Sequence, residues 1–245
     1  MTTLPSRAIT PPTNTPSVRV AVTPAKLIHW GGAASMLAGA LTIVANLLHP
    51  PRSFATLVHE AQHTTWEVVH VIAIAAFVVT AFAMIALYAV QIARIGVTGL
   101  IGFATTLAGI ILMVGLLVPD ALIFPVLARD PATVHLLRFP GPIIGTSVFT
   151  VYMAISGAVY CLGTLLFFAV SVRAGVLPRW GSLLVVIGTV PLAFGALVWQ
   201  GIDDGGAIVV GVGYVSVGYA LWTQGSSLAS PGSRFPANPP IGGVR

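Results

Sequence analysis

The sequence predicts an all-α protein, a polytopic bundle of six transmembrane helices with both termini in the cytoplasm. The first observation is a set of six apolar stretches, each about the 20 residues that an α-helix needs to cross a bilayer. The second is that only 7% of the residues are charged, against about 25% in soluble domains. Inside lipid every backbone N–H and C=O needs a partner within the chain, so such stretches form helices. The predicted spans are residues 27–48, 68–92, 96–118, 142–172, 180–199 and 206–223.

A third observation is that all five tryptophans lie at the ends of predicted spans. They are Trp30, Trp66, Trp180, Trp199 and Trp222. Indole rings favour the headgroup zone, because the ring is apolar and its one N–H can bond to water or lipid. We interpret the five as an interfacial belt, which supports the span boundaries.

The two tails differ in composition from the transmembrane domain at 26–223. Residues 1–25 are rich in Pro, Thr and Ser and lack the apolar core of a cleavable signal peptide. Residues 224–245 contain Gly, Ser and Pro. We predict that both tails are disordered and cytoplasmic, and that the first span is an uncleaved signal anchor.

Basic residues assign an orientation, since cytoplasmic loops are enriched in Lys and Arg. With six spans, both tails share one side with the second and fourth loops. That side carries Arg7, Arg19, Lys26, Arg94, Arg173, Arg179, Arg234 and Arg245, and the other side carries Arg52, Arg129 and Arg138. All six acidic residues also fall on the second side. The preference for Arg over Lys indicates a GC-rich bacterial genome, so we predict an inner-membrane protein.

Small residues predict close packing of the first and last spans. Gly31, Ser35 and Gly39 recur every four residues on one helix face, and small side chains let helix backbones approach closely. Ala207 and Gly211 begin a similar face in the last span, continued by Gly218. These faces serve packing within the chain or, alternatively, a homo-oligomer. Pro191 predicts a kink in the fifth span.

Several function classes are excluded or disfavoured. No Asp, Glu, Lys or Arg lies near the middle of a span, whereas ion-coupled transporters and proton pumps usually place one there. The positive charges are scattered, so a nucleic-acid partner is not expected. The single Cys161 forms no disulfide within the chain. Membrane lipids are the expected partners.

One motif suggests metal chemistry. His59, Glu60 and His63 form an HExxH sequence, in which two His bind Zn²⁺ and the Glu acts as general base on a bound water. If residues 59–70 continue the second helix outward, the two His share a stripe with Trp66 and His70. A catalytic zinc also needs a third protein ligand. The candidates are Asp120, Asp130, His135, Asp203 and Asp204, and the spacing selects none of them.

A second constellation pairs His49 with His70. The first helix leaves the membrane where the second enters, so these residues are expected to face each other at similar depth. Two facing His could ligate a haem, or one could bind a quinone or a lipid headgroup. The alternative is an interfacial pair that is hydrogen-bonded to Asn46 or Glu67. A single HxxxH argues against the His-box desaturases, and too few Glu remain for a di-iron site.

The loop at 119–141 is the longest between spans. Asp130 followed by Pro131 is typical of a helix start, so a short interfacial helix from Pro131 to Arg138 could lie over the bundle as a lid. A simple re-entry loop on the membrane surface is the slightly favoured alternative.

Two segments carry a resemblance. Gly175-Val-Leu-Pro-Arg-Trp-Gly181 opens the fifth span, and Trp66-Glu-Val-Val-His70 opens the second, preceded by Leu48-His-Pro50. Together they resemble a broad group of uncharacterised six-span bacterial membrane proteins, in which a Leu-Pro-Arg-Trp turn follows a basic cytoplasmic loop. The resemblance covers the spans but not the tails. It implies the six-span fold and topology, and it carries no activity.

The leading functional hypothesis is non-enzymatic binding of a lipid, a small apolar ligand or a membrane partner. We expect the ligand at the outer-edge residues Asn46, His49, Glu67 and His70, with His63 nearby, and no cofactor is required. The alternative is a metal-dependent membrane hydrolase that uses zinc at His59 and His63 with Glu60 as its catalytic base. Haem binding is a second alternative.

Overall fold

The computed structural model describes residues 23–51 and 53–228, and every regular element in these ranges is a helix. The α-helices are α1 (Pro24–Leu47), α2 (Leu57–Ala61), α3 (Thr64–Leu122), α4 (Phe124–Arg129), α5 (Ser147–Ala174), α6 (Arg179–Phe194) and α7 (Gln200–Leu228). Short 3-10 turns cover Val134–Leu137 and Gly195–Leu197. The predicted disordered tails lie almost wholly outside the described residues.

Four of the described helices, α1, α3, α5 and α7, are long and apolar enough to cross a membrane. The all-α prediction is therefore confirmed. The starts of α5 and α7 differ from the predicted span boundaries. α5 begins at Ser147 and not at 142, because the Thr146 side chain accepts from the backbone N–H of Phe149 and caps the helix. α7 begins at Gln200, ahead of the predicted 206, and so includes Asp203 in its first turn, where the helix dipole favours a negative charge.

α3 consists of two helical segments that fold back on each other at Gly96. Gly96 has φ 55° and ψ −160°, a region of backbone space that is essentially reserved for glycine. The indole Nε1 of Trp66, near the start of α3, donates to the backbone carbonyl of Asp120, near its end, at 2.7 Å. The two ends of α3 are therefore neighbours. The reversal falls where the predicted third span begins.

The small-residue faces of α1 and α7 pack against each other. A Cβ added at Gly32 would lie 2.7 Å from the carbonyl oxygen of Gly218, and the Ser35 hydroxyl donates to the carbonyl of Tyr214 at 2.7 Å. Gly39 likewise contacts the backbone of Gly211. Because contacts within the chain bury these faces, the predicted homo-oligomer would have to use another surface.

The packed half of the bundle holds the main core. It contains the first turns of α1 and α6, the reversal at Gly96, and the last turns of α5 and α7. Its buried members are Ile28, Met84, Ala86, Leu87, Ile95, Phe167, Phe168, Leu177, Val185, Val210, Tyr214, Val217 and Leu221. The basic residues Lys26, Arg94, Arg173 and Arg179 lie at this end, as the element order shows.

The opposite half, which we call the hollow half, contains all six acidic residues and is covered by a cap. The cap comprises α2, α4 and the turn at Val134–Leu137. Its core residues are Leu57, Ala61, Trp66, Phe124, Ala128, Leu137 and Ile144. The loop at 119–141 is thus a folded cover and not a simple re-entry loop. This loop does not form the cover alone, because α2 supplies Leu57 and Ala61 to its core. A helix over 131–138 was also expected, but only the 3-10 turn forms.

Candidate ligand-binding cavity

A cavity of about 460 Å³ lies within the hollow half, beneath the cap. Ligand-binding sites in proteins typically enclose about 300–1,000 Å³. Its deeper wall is mostly apolar and includes Ala76, Phe77, Met113, Leu117 and Met153, among which lie the hydroxyl groups of Thr42, Thr80, Tyr160 and Thr189. The ionisable and amide side chains gather where the helices end, namely Asn46, His49, His70, Asp120 and Asp203. The cavity therefore suits a molecule with one polar end and an apolar body.

His49 and His70 are neighbours in the cavity wall and face each other, as their positions in the sequence predict. Their ring centroids are 5.1 Å apart, with planes inclined by 62°. Each Nδ1 lies 2.7 Å from a backbone carbonyl oxygen, that of Pro50 for His49 and that of Trp66 for His70. A carbonyl can only accept, so Nδ1 carries the proton and Nε2 of the neutral ring is an acceptor.

The spacing of this pair does not favour a haem between the rings. Metal–nitrogen bonds of about 2 Å on opposite sides of an iron, added to the ring radii, separate two imidazole centroids by about 6 Å. The observed 5.1 Å is shorter. Haem binding remains a prediction without support from this geometry.

Asp120 supplies the carboxylate of the site. Its Oδ2 lies 3.9 Å from Nε2 of His70. Its Oδ1 is buried and accepts no hydrogen bond from the described residues. Leaving such an acceptor unpaired costs about 1–3 kcal/mol. A polar ligand group in the cavity would remove that cost.

Trp66 is a wall residue of the cavity and not a member of the interfacial belt. Its side chain is only 5% exposed, whereas the other four tryptophans are 37–78% exposed. Its ring lies 4.3 Å from that of His70, centroid to centroid. The belt prediction was wrong here because the cap extends the protein beyond the end of α3 and covers the indole.

The other predicted ligand residues divide between the cavity and the surface. Asn46 lines the cavity, and its Nδ2 donates to the Thr42 carbonyl at 2.8 Å. Glu67 lies outside the cavity wall and forms an ion pair with Arg129 of α4 at 2.6 Å. A helix turns about 100° per residue, so Glu67 points away from the side on which Trp66 lies. His63 also lies outside the lining.

The HExxH segment does not form one helix. His59 and Glu60 belong to α2, whereas His63 is the extended residue that caps α3, with φ −87° and ψ 141°. The condition of a continuous helix over 59–70, on which the shared stripe depended, is therefore not met. The rings of His59 and His63 are still close, at 4.9 Å between centroids, but both side chains are exposed. Within the described ranges, no three His, Cys, Asp or Glu side chains form a group that could hold a metal ion.

Three groups of wall residues were not predicted as ligand contacts. Asp120 and Asp203 were considered only as further metal ligands. Met113 and Met153 lie in apolar runs that give no sign of lining a space. Trp66 could have been found, because it lies one helical turn from His70 and so shares its face.

No protein-family model, curated protein or solved structure matches this chain. The resemblance to six-span bacterial membrane proteins therefore stays a prediction.

Proposed function

We propose that this protein is a six-span inner-membrane protein that binds a small amphipathic or apolar molecule, such as a lipid, in the cavity of its hollow half. The observation that carries the proposal is the 460 Å³ space with a mostly apolar deeper wall and ionisable groups near one end. A well-packed helical bundle has few voids larger than a water molecule. A space of this size therefore suggests an occupant.

Six crossings are supported by helix lengths. Each segment of α3, on either side of Gly96, exceeds the ~20 residues that cross a bilayer. α6 has 16 residues, about 24 Å, and the 3-10 turn that follows adds about 6 Å. Together they reach the roughly 30 Å of the hydrocarbon core.

The orientation rests on charge. Lys26, Arg94, Arg173 and Arg179 lie at the end of the packed half, and positive residues favour the cytoplasm. On this basis the hollow half, its cap and its cavity face the outer side of the membrane. Both termini are then cytoplasmic.

Glycine substitutions offer a direct test of binding. A Cβ at Gly157, in the cavity wall, meets no atom within 4 Å, and the same is true at Gly205, outside the wall. Gly157→Leu should therefore fill the cavity without disturbing the fold, and Gly205→Leu is its matched control. Both helical changes also gain propensity.

The reporter is the emission of Trp66 in a protein whose other four tryptophans are replaced by phenylalanine. In phosphatidylcholine nanodiscs, titration with 1-decanol should change this emission saturably. The change should be lost in Gly157→Leu and kept in Gly205→Leu. A response that is unsaturable and equal in all three proteins would mean that the alcohol only enters the bilayer, and the proposal would fail.

A further inference from the structure

The hydrogen-bond donors of the cavity wall are largely committed to the protein itself. Three threonine hydroxyls, one amide N–H and one indole N–H each donate to a backbone carbonyl. The residues are Thr42, Asn46, Trp66, Thr80 and Thr189. Because each threonine hydroxyl has used its one O–H, only its oxygen lone pairs are left for a ligand. These hydroxyls can therefore accept a hydrogen bond from a ligand but do not readily donate one.

The acceptors of the wall include one without a partner. Oδ1 of Asp120 is buried and receives no hydrogen bond from the described residues. A ligand group that donates hydrogen bonds complements such a wall, and one that only accepts does not.

The carboxyl group of Asp120 also favours a donor that carries positive charge. Asp120 lines the cavity, and its Oδ1 is buried. An anion placed beside this carboxylate would be repelled by like charge in a site of low dielectric, whereas a cation would be attracted.

We infer that the cavity selects amphipathic amines, with the ammonium group hydrogen-bonded to Asp120 and the alkyl chain among the apolar residues of the deeper wall. The inference rests on the binding function proposed above and names the ligand class. The ammonium supplies three N–H donors and one positive charge. Its chain supplies apolar surface for Met113 and Met153.

The test compares three probes of equal chain length: decylamine, 1-decanol and decanoate. At pH 8 the amine is protonated and the acid is ionised, so head-group charge is the main variable. Titrations use the Trp66 reporter protein in phosphatidylcholine nanodiscs, and Gly157→Leu supplies the response due to the bilayer. We expect decylamine to bind at least tenfold more tightly than 1-decanol, and decanoate to bind most weakly.

Asp120→Asn removes the charge while keeping the shape of the side chain. It should bring the affinity for decylamine to within about threefold of that for 1-decanol. Glu67→Gln is the matched control, because Glu67 lies at the same end of the bundle as Asp120 but outside the cavity wall, and it should keep the preference. A circular-dichroism spectrum and an SDS unfolding midpoint equal to those of the parent show that Asp120→Asn is folded.

The outcomes separate the two proposals. Equal binding of amine and alcohol by the parent protein, or tighter binding of decanoate, overturns the amine assignment and leaves the binding function standing. A preference for amine that survives in Asp120→Asn overturns the role of Asp120. If none of the three probes binds saturably, the binding function itself is lost.

Discussion

The packed and hollow halves are built from the same long helices, yet only one of them is filled. In the packed half, Phe167, Phe168 and Tyr214 are at most 1% exposed and meet edge to face, with centroids 5.2 and 5.4 Å apart. In the hollow half, alanine, glycine and methionine residues line a 460 Å³ space together with aromatic rings such as those of Trp66 and Phe77. The rings pack against one another in the packed half, whereas in the hollow half they surround a space.

The comparison shows that glycine serves two opposite purposes in this protein. At Gly32 a neighbouring backbone occupies the place where a side chain would be. At Gly157 the corresponding place is empty. One glycine brings helices together and the other leaves a space between them, although both lie in similar apolar sequences.

The largest expected effect comes from a comparison of two glycine-to-leucine variants, one in each half of the bundle. Gly32→Leu should lower the free energy of unfolding by about 3 kcal/mol or more, because its Cβ would lie 2.6 Å from the backbone nitrogen of Trp222 and α1 would have to leave α7. Gly157→Leu should change it by less than about 1 kcal/mol. Unfolding by SDS in mixed micelles, followed by circular dichroism, measures both. Equal losses would contradict the distinction between the halves.

An intermediate effect is expected at the reversal of α3. Gly96→Ala should cost about 1–3 kcal/mol, because alanine disfavours φ 55° with ψ −160°. A Cβ at this position meets no atom within 4 Å, so the loss reports backbone strain and not a clash. Gly205→Ala, in the regular part of α7, should be neutral or stabilising in the same SDS titration. A Gly96→Ala protein as stable as its parent would mean that the chain reverses differently.

The smallest effect is expected at the cap. Arg129→Gln removes the ion pair with Glu67. In this pair the Arg129 side chain is 47% exposed and the Glu67 side chain is 36% exposed. Exposed pairs contribute at most about 1 kcal/mol, and salt screens them. The difference in thermal unfolding between parent and variant should therefore be small in 0.1 M salt and should shrink further in 1 M salt. A large loss that does not depend on salt would show that Arg129 holds the cap by packing.

Some site residues were predictable and others were not, for reasons that individual positions make plain. His49 and His70 could be paired because consecutive spans place them at one membrane edge. Glu67 was grouped with them by proximity in sequence, but the helical rotation turns it toward Arg129 of the cap. Trp66 was assigned to the lipid interface because burial by a cap formed from two separate loops leaves no local signal.

The amino-acid sequence by itself determines which segments are helical, where α3 can reverse and how the two ends of the bundle differ in charge. Apolar stretches of membrane-spanning length dictate helices, because lipid offers no hydrogen-bond partner to the backbone. Glycine at position 96 permits the reversal of α3, and the unequal distribution of charge distinguishes the two ends. These properties depend on composition and on neighbours along the chain, so they can be predicted locally.

Tertiary structure alone decides where the bundle is hollow. The space exists because side chains of α1, α3, α5, α6 and α7 do not meet at this depth of the bundle. Whether they meet depends on the rotation and register of segments that are far apart in sequence. The same contacts decide that Asp120 lies beside His70 at 3.9 Å, 50 residues along the chain. Packing determines both results, since a side chain's neighbours across a bundle are not its neighbours in sequence.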